Sequence, residues 1–350
     1  GGARVCLVDK ARFPRPKACG GALSPRVLRH LPPGVEPLLR ERVCRAIFTF
    51  RSERPFEVVS RAPMGFMVCR EEFDAWLRAR AEEVGAHVRE GVAVRHIERN
   101  GTGFAVRVAG EMIQASWVIG ADGANSLVGA RFFPPHVPAK SVGLACEVPC
   151  NEWHLEGTVL VDVGRYPGGY AWAFPKGDRV SLGVMLEYAK GRGLRKALET
   201  FLRGIPGRPR DTTPRGRVAS IAAPCTDPVC CASRGVLLVG DAAHLADPFL
   251  GEGIYHAIKS GGLAASAILD GRDEADAVAR YEAAIAESIW PDLRAASRIA
   301  TLFHRAPRWW HRIFSGMPGA LMPYVAVLTG EDSYVGLLGD LVDRLESAGG

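Results

Sequence analysis

Apolar positions along this chain change period several times, and the changes mark out its elements. Val5-Cys6-Leu7-Val8 is a short apolar run that ends in Asp9. A run of that kind predicts a buried parallel strand followed by a loop. Residues 11–35 are rich in Arg, Pro and Gly and predict a long loop with a short helix at 25–31. Strand-like alternation follows over 43–69, in Ala46-Ile47-Phe48-Thr49-Phe50 and Phe56-Glu57-Val58-Val59. The period then lengthens. Across 70–86 the apolar residues stand at 73, 76, 77 and 84, and Gly85 ends the turn. That is an amphipathic helix with a glycine at its C-terminus. Strands are predicted at 92–98, 103–109 and 112–119, and the strands of a second sheet at 140–190 and 215–223. A helix is predicted at 191–204 and a buried strand at 235–240. Residues 252–270 predict a helix of small residues. From 274 onward the pattern is helical, broken at Pro291, Pro307, Pro318 and Pro323.

These elements predict an α/β fold. A Rossmann-type domain is interleaved with an antiparallel-sheet domain, and a helical region follows. The first domain takes 1–42, 70–137 and 224–273. The second takes 43–69 and 138–223, and the helical C-terminal region takes 274–350. The 350 residues suit two domains, or one with a large insertion. In a dinucleotide-binding βαβ unit, an acid ending the second strand bonds a ribose hydroxyl, and Asp9 fits that position. The first strand and its GxGxxG loop would then belong about 20 residues upstream. The reading therefore expects a fragment without its first βα unit.

Composition narrows the class. Hydrophobic residues make up 47% and charged residues 23%, which suits a globular protein with an ordinary core. The net charge of +6 is modest for this length and suits anionic surfaces or phosphate-bearing ligands. No cluster of Lys and Arg with interleaved aromatics points to nucleic acid. The nine cysteines are odd in number and form no Cys-x-x-Cys pair. This argues for reduced thiols in a cytoplasmic protein, and against a disulfide framework or a zinc site. Cys225, Cys230 and Cys231 have no metal-ligand spacing and read as a loop before a strand. No apolar run reaches the roughly 18 residues of a membrane span.

The strongest chemical signal is VLLVGDAAHLADPFLGEGIYHAIKSGGLAA at 236–265. A buried strand runs into Asp241, small residues and an Asp-Pro turn follow, and Gly251-Glu252-Gly253 opens a helix. A carboxylate at a strand end can hold a ribitol hydroxyl. The free N–H groups of a helix N-terminus can face a pyrophosphate or the O2 edge of a flavin ring. Glycines let the backbone approach that ring. His244 reads as a helix-start residue near the cofactor. A second signal, Val118-Ile119-Gly120-Ala121-Asp122-Gly123-Ala124-Asn125-Ser126, is a strand ending in an Asp-Gly turn.

Together these two stretches resemble the FAD-contacting motifs of the flavoproteins built like para-hydroxybenzoate hydroxylase. Within them, three features resemble the geranylgeranyl reductases: RFPRPKACGGALSPRVL at 12–28, ADPFLGEGIYHAIKSG, and Tyr170-Ala171-Trp172-Ala173-Phe174-Pro175 with Gly183 beyond it. The resemblance covers about residues 1–275. It implies FAD as cofactor, with NAD(P)H or another donor as reductant. It implies that Asp9, Lys17, Arg70, Asp122, Gly123, Asp241, Pro248, Gly251, Glu252 and Gly253 lie at the cofactor. Cys19 would act beside the flavin, in proton relay or in positioning the alkene. Tyr170, Trp172 and Phe174 would line a lipid pocket.

The activity implied is saturation of isolated C=C bonds in a geranylgeranyl or polyprenyl lipid or pigment side chain. An unactivated alkene accepts hydride poorly, so a proton must arrive with it. The developing cation needs negative or π-rich surroundings. Tyr170, Trp172 and Phe174 alternate with small residues, so on a strand they share a face. Two other readings stay open: a monooxygenase or halogenase of the same fold, and a non-catalytic flavin- or lipid-binding protein. The tail carries Trp290, Phe303, Trp309, Trp310 and Phe314 among Arg and His. Its helices either rest on the periphery of a membrane or close the substrate cavity.

Overall fold

A computed structural model describes residues 2–134, 140–150, 153–187, 193–205, 217–222 and 230–349. Cys225 lies outside the described residues. Strand Cys6–Asp9 pairs in parallel with His87–Glu90, Asp9 opposite Glu90. The helix Arg70–Glu83 leads into that second strand. Glu71 and Glu72 occupy its first turn, where the helix dipole favours acids, and Gly85 follows its end at φ +98°. A second parallel pair joins Val118–Gly120 to Val236–Leu238, with Ala232–Ser233 antiparallel on the far side. Val236, Leu237 and Leu238 are all buried. Successive side chains point to opposite faces, so both faces of this strand are covered. Helix Ile254–Asp270 offers Ala264 and Ala267 to the same core, and helix Glu274–Ser288 adds Tyr281 and Ile285. The Tyr281 hydroxyl donates to the Leu238 carbonyl at 2.6 Å, so this buried polar group is satisfied.

The second large unit is a seven-stranded sheet. Its order is Arg217–Ala222, Lys140–Pro149, Arg179–Glu187, Ala171–Pro175, Thr158–Val163, Arg45–Phe50, Glu53–Val59. Only the pairing of Thr158–Val163 with Arg45–Phe50 is parallel. The alternation read from the sequence separates its two faces. Leu144, Leu160, Val180, Leu182 and Val184 pack against Leu198, Phe201 and Leu202 of helix Leu194–Gly204. Ala46, Phe48, Val159 and Phe174 point the other way, toward a cavity. A small three-stranded sheet, Ala22–Leu23, Gly65–Met67 and Glu41–Val43, stands at one end of that cavity.

Helices Trp290–Arg305, Pro307–Gly316, Met322–Thr329 and Tyr334–Gly349 complete the chain. Pro291, Pro307 and Pro323 sit in the first turns of their helices, where a missing N–H costs nothing. Val325 and Phe314 join the cluster on the sheet's cavity face. Among the described residues, no helix is long and apolar enough to cross a membrane.

Candidate active site

The site is assembled by three segments that are far apart in sequence: the loop before Ala22, the start of helix Arg70–Glu83, and the turn between Asp241 and helix Ile254–Asp270. Arg70 opens its helix and forks onto Asp74 one turn later, at 2.8 and 3.0 Å. Arg15 reaches the same carboxylate at 3.2 Å. This bidentate geometry fixes the guanidinium beside Cys19. Burial pushes the Cys19 thiol up. Arg70, the Gly21 amide at 3.4 Å and Lys176 outweigh it, and the thiol titrates below its ordinary value. Arg70 stays charged because Cys19 and Asp74 more than offset its burial. Burial and Arg70 lower Lys17, while burial raises Asp241 against the pull of Lys17 and Arg70. Lys17, Cys19, Arg70 and Asp241 therefore form one electrostatic cluster.

Two glycines let the loop pack as it does. A Cβ on Gly21, at φ +75°, would stand 2.4 Å from the Val68 carbonyl and 2.8 Å from Lys176 Nζ. A Cβ on Gly20 would stand 3.0 Å from the Phe174 ring and 3.4 Å from Trp172 Nε1. Behind them Lys176 is 0% exposed and donates to Glu147 Oε1 at 2.6 Å, and Arg179 reaches Glu147 at 3.2 Å.

The 247–253 turn is braced from several sides. Asp247 Oδ1 accepts from the amides of Phe249 and Leu250 at 2.7 and 3.1 Å, around Pro248. Its Oδ2 accepts from the Tyr334 hydroxyl at 2.6 Å. Burial pushes Asp247 up to about 6, though these donors oppose the shift. The Tyr170 hydroxyl donates to the Leu250 carbonyl. Glu252 points away from the helix start, accepting from Ser24 Oγ and, at 2.6 Å, from Arg26. Gly251 needs its φ of +72°, and a Cβ on Gly253 would stand 3.3 Å from Asp241 Oδ1. Helix Ile254–Asp270 has no side-chain cap, so its first N–H groups are open to a ligand.

An apolar cavity of about 350 Å³ extends from this point. Cys19, Gly20, Gly251 and Gly253 line one end. Val159, Val161, Ala46, Phe48 and Phe56 line the sheet side. Phe303, Trp310, Phe314, Tyr324 and Val325 form the helical side. Tyr170 and Phe174 line it too. Trp172 stands behind the wall, filling the space over Gly183 and donating to Ser181 Oγ at 3.3 Å. Neighbouring rings of the three lie 6.0 and 6.1 Å apart.

The predicted residues thus divide. Lys17, Cys19, Arg70, Asp241, Pro248, Gly251, Gly253, Tyr170 and Phe174 converge. Glu252 braces the turn with its side chain. Asp9 sits at its strand end, where Oδ1 accepts from Ala11 N at 2.8 Å. Asp122 caps a helix, accepting from Ser126 Oγ and from the amides of Leu127 and Val128 at 2.6 and 3.2 Å, next to Gly123 at φ +80°. Sequence reasoning missed Arg15, Asp74, Asp247, Arg26, Lys176, Tyr324 and Tyr334. Arg15, Arg26 and Asp247 lie inside the stretches already singled out. The tyrosines of the tail carry no local signal.

These residues fit FAD. The uncapped helix start, the glycine-lined approach and the Lys17–Arg70–Asp241 cluster supply the backbone donors, close access and mixed charge that a flavin dinucleotide needs. Comparison with known proteins agrees. A family model described as an FAD binding domain matches residues 1–151. The geranylgeranyl diphosphate reductase of Rhodobacter capsulatus is 34% identical over 285 residues, covering 77% of this chain and 69% of that one. Digeranylgeranylglycerophospholipid reductase 1 of Methanopyrus kandleri is 30% identical over 303 residues, covering 79% and 76%. A crystal structure of a geranylgeranyl bacteriochlorophyll reductase-like protein from Thermoplasma acidophilum shares the fold, with TM-score 0.75 and 23% identity over 86% of this chain and 81% of that one. Motif, cavity and kinship converge: the chain belongs to the geranylgeranyl reductase family of FAD-dependent oxidoreductases.

Proposed function

We propose that this protein saturates isolated C=C bonds of a polyprenyl chain. One observation carries the reading: the carbon-lined cavity that Cys19 and Gly251 share with the cavity face of the sheet and the C-terminal helices. A prenyl chain is a long apolar strip with regularly spaced alkenes, and such a channel takes it out of water along its length. FAD, when bound and reduced, would supply the hydride, and the second hydrogen of the saturated bond would enter as a proton from water. The chain's own residues do the rest. The uncapped start of helix Ile254–Asp270 and Gly251 receive the ring edge, and Asp241 and Lys17 serve its polar tail. Phe174 and Tyr170 press the alkene toward the Cys19 end. Arg70 and Lys176 hold Cys19 toward its anionic form, so its sulfur stabilises positive charge developing on the alkene carbons, as do the ring faces.

The test is incubation of the flavin-loaded protein with a chemical reductant and geranylgeranyl diphosphate, followed by mass spectrometry. Products heavier in steps of two hydrogens are expected. A yellow protein that forms only hydroxylated product and leaks peroxide with NAD(P)H would overturn the reading. The tail also exposes Leu302, Trp309, Met317 and Met322. These suit peripheral contact with the membrane that holds lipid substrates. Trp309→Asp is expected to weaken co-sedimentation with anionic liposomes; unchanged binding would remove this contact.

A further inference from the structure

Saturating an alkene takes a proton as well as a hydride, so the apolar cavity needs a proton source that can be renewed. Few of its lining residues carry an exchangeable proton, and most of those protons are engaged. Cys19 is held toward its anionic form. The Ser24 hydroxyl donates to Glu252, whose carboxylate is ion-paired with Arg26. The Tyr170 hydroxyl donates to the Leu250 carbonyl, and the Trp310 indole to the Leu302 carbonyl at 3.0 Å. Tyr324 Oη and His311 Nε2 have no hydrogen-bond partner, but both atoms are buried out of reach of solvent. A proton given up there has no water beside it to restore it.

His304 differs. It stands near the end of helix Trp290–Arg305 and lines two cavities at once. The second cavity, of about 700 Å³, is lined by Arg51, Arg165, Lys196 and Thr200. Arg51, Arg165 and Lys196 are exposed, so this cavity meets solvent, and its volume admits water many times over. Gly169 and Phe303 also border both cavities, but neither side chain can titrate. Among the described residues, His304 is therefore the titratable group common to the two walls.

Neighbours place the ring. Phe303 packs edge-on against Phe249 of the 247–253 turn, with ring centroids 5.6 Å apart, and lies at the same distance from the His304 ring. Gly169 precedes Tyr170, whose hydroxyl reaches that turn. The wall between the cavities thus stands beside the turn that borders the flavin end. Glu187 packs against Gly168 on this side. Burial disfavours the charged ring more than Glu187 favours it, so His304 titrates below its ordinary value. Its imidazolium is accordingly a stronger acid than that of free histidine.

We propose that His304 hands the alkene its proton and draws the replacement from water in the polar cavity. The inference rests on the prenyl-reductase reading and assigns the route of the second hydrogen. The hydride, with its two electrons, bonds to one alkene carbon and leaves the flavin oxidised. The π pair of the C=C bond forms the second C–H bond with the imidazolium proton. The N–H bond breaks with its pair on nitrogen, and the neutral ring takes a proton from water. The chemical reductant of the assay returns the flavin to its reduced form.

The experiment follows reduction of geranylgeranyl diphosphate by the flavin-loaded full chain, in wild type and His304→Ala. Wild-type kcat should fall as pH rises across about 5 to 8, because fewer rings carry the proton. In His304→Ala, kcat at about pH 6 should drop about 100-fold or more, with KM within about twofold and the pH slope lost. Added imidazole should enter the polar cavity and restore about tenfold or more of the lost rate. His304 is half-buried, so the variant is expected to fold, and its melting temperature checks this. A variant that keeps kcat within about twofold, or that loses it with no response to imidazole, would overturn the role. In flavin-free protein, an NMR titration of the ring should give a pKa below 6.5. A ring that takes up no proton down to about pH 4 would overturn it too. Wild type inactive at every pH would sink the prenyl-reductase reading itself, whereas an active wild type with an unimpaired variant sinks the part given to His304 alone.

Discussion

Cys19 and Arg70 show how one residue's chemistry depends on another's geometry. The sulfur is half-buried, and in apolar surroundings a thiol holds its proton. The Arg70 fork onto Asp74 reverses that by keeping a cation in place. Arg70→Leu should therefore raise the Cys19 pKa. In flavin-free protein, the pH midpoint of its alkylation by iodoacetamide should move upward; an unmoved midpoint would show that Arg70 does not set it. Cys19→Ser keeps the shape but carries a hydroxyl that stays neutral. Its expected outcome is full flavin binding by absorbance with kcat down about tenfold or more. At this scale the sequence singled out Cys19, Arg70 and Asp241, where motif and chemistry coincide, and the fold brings the three into one electrostatic cluster. It was silent on Asp74 and Lys176, because a partner's role appears only once folding has set the distance. It also left open which way Glu252 points. The side chain turns to Arg26, 226 residues away in sequence.

At the scale of elements, the 247–253 turn is the part of the site with the most supports. Arg26 and Glu252 form a largely buried ion pair, where Glu252 more than offsets the cost of burying the Arg26 charge. Removing one partner leaves the other charged and unpaired, so Arg26→Ala should lower unfolding free energy by about 3–5 kcal/mol. A denaturant titration checks this. Asp247 gives the turn a pH dependence. Its carboxyl is raised from 3.8 to about 6, so the folded state holds a proton that the unfolded chain releases. The stability linked to this group is full below about 3.8 and is lost as pH rises through about 6, a swing on the order of 3 kcal/mol. Asp247→Asn cannot titrate. The melting-temperature difference, wild type minus Asp247→Asn, should fall between pH 4 and pH 7; a constant difference would show that burial does not shift this carboxyl. The strand, the turn and the glycine helix start were all readable from local pattern. The brace from Tyr334 was not, since it comes from a helix that begins 87 residues later.

Over the whole molecule, the sequence revealed the interleaving of two sheets but left two roles for the C-terminal helices. Periodicity tells which face of a helix is apolar, not what covers it. In the structure the inward residues of that region, Phe303, Trp310, Phe314, Tyr324 and Val325, form the wall of the cavity opposite the sheet. The helices therefore close the cavity, whatever else their outer face touches. Under the prenyl-reductase reading, the depth of this cavity sets the length of chain it accepts. Bulk added on its helical wall should shorten it. Val325 is buried against Val43, Ala46 and Phe56 on the sheet side, and Val325→Phe fills that space. Overpacking costs typically 1–3 kcal/mol, so the variant's melting temperature must be checked first. With the fold retained, reduction of geranylgeranyl diphosphate should fall about tenfold relative to wild type, while reduction of the shorter geranyl diphosphate should change less than twofold. Equal losses on both chains would mean that Val325 supports the fold and does not face the substrate. An equal rate on both would mean that the prenyl chain takes another path through the molecule.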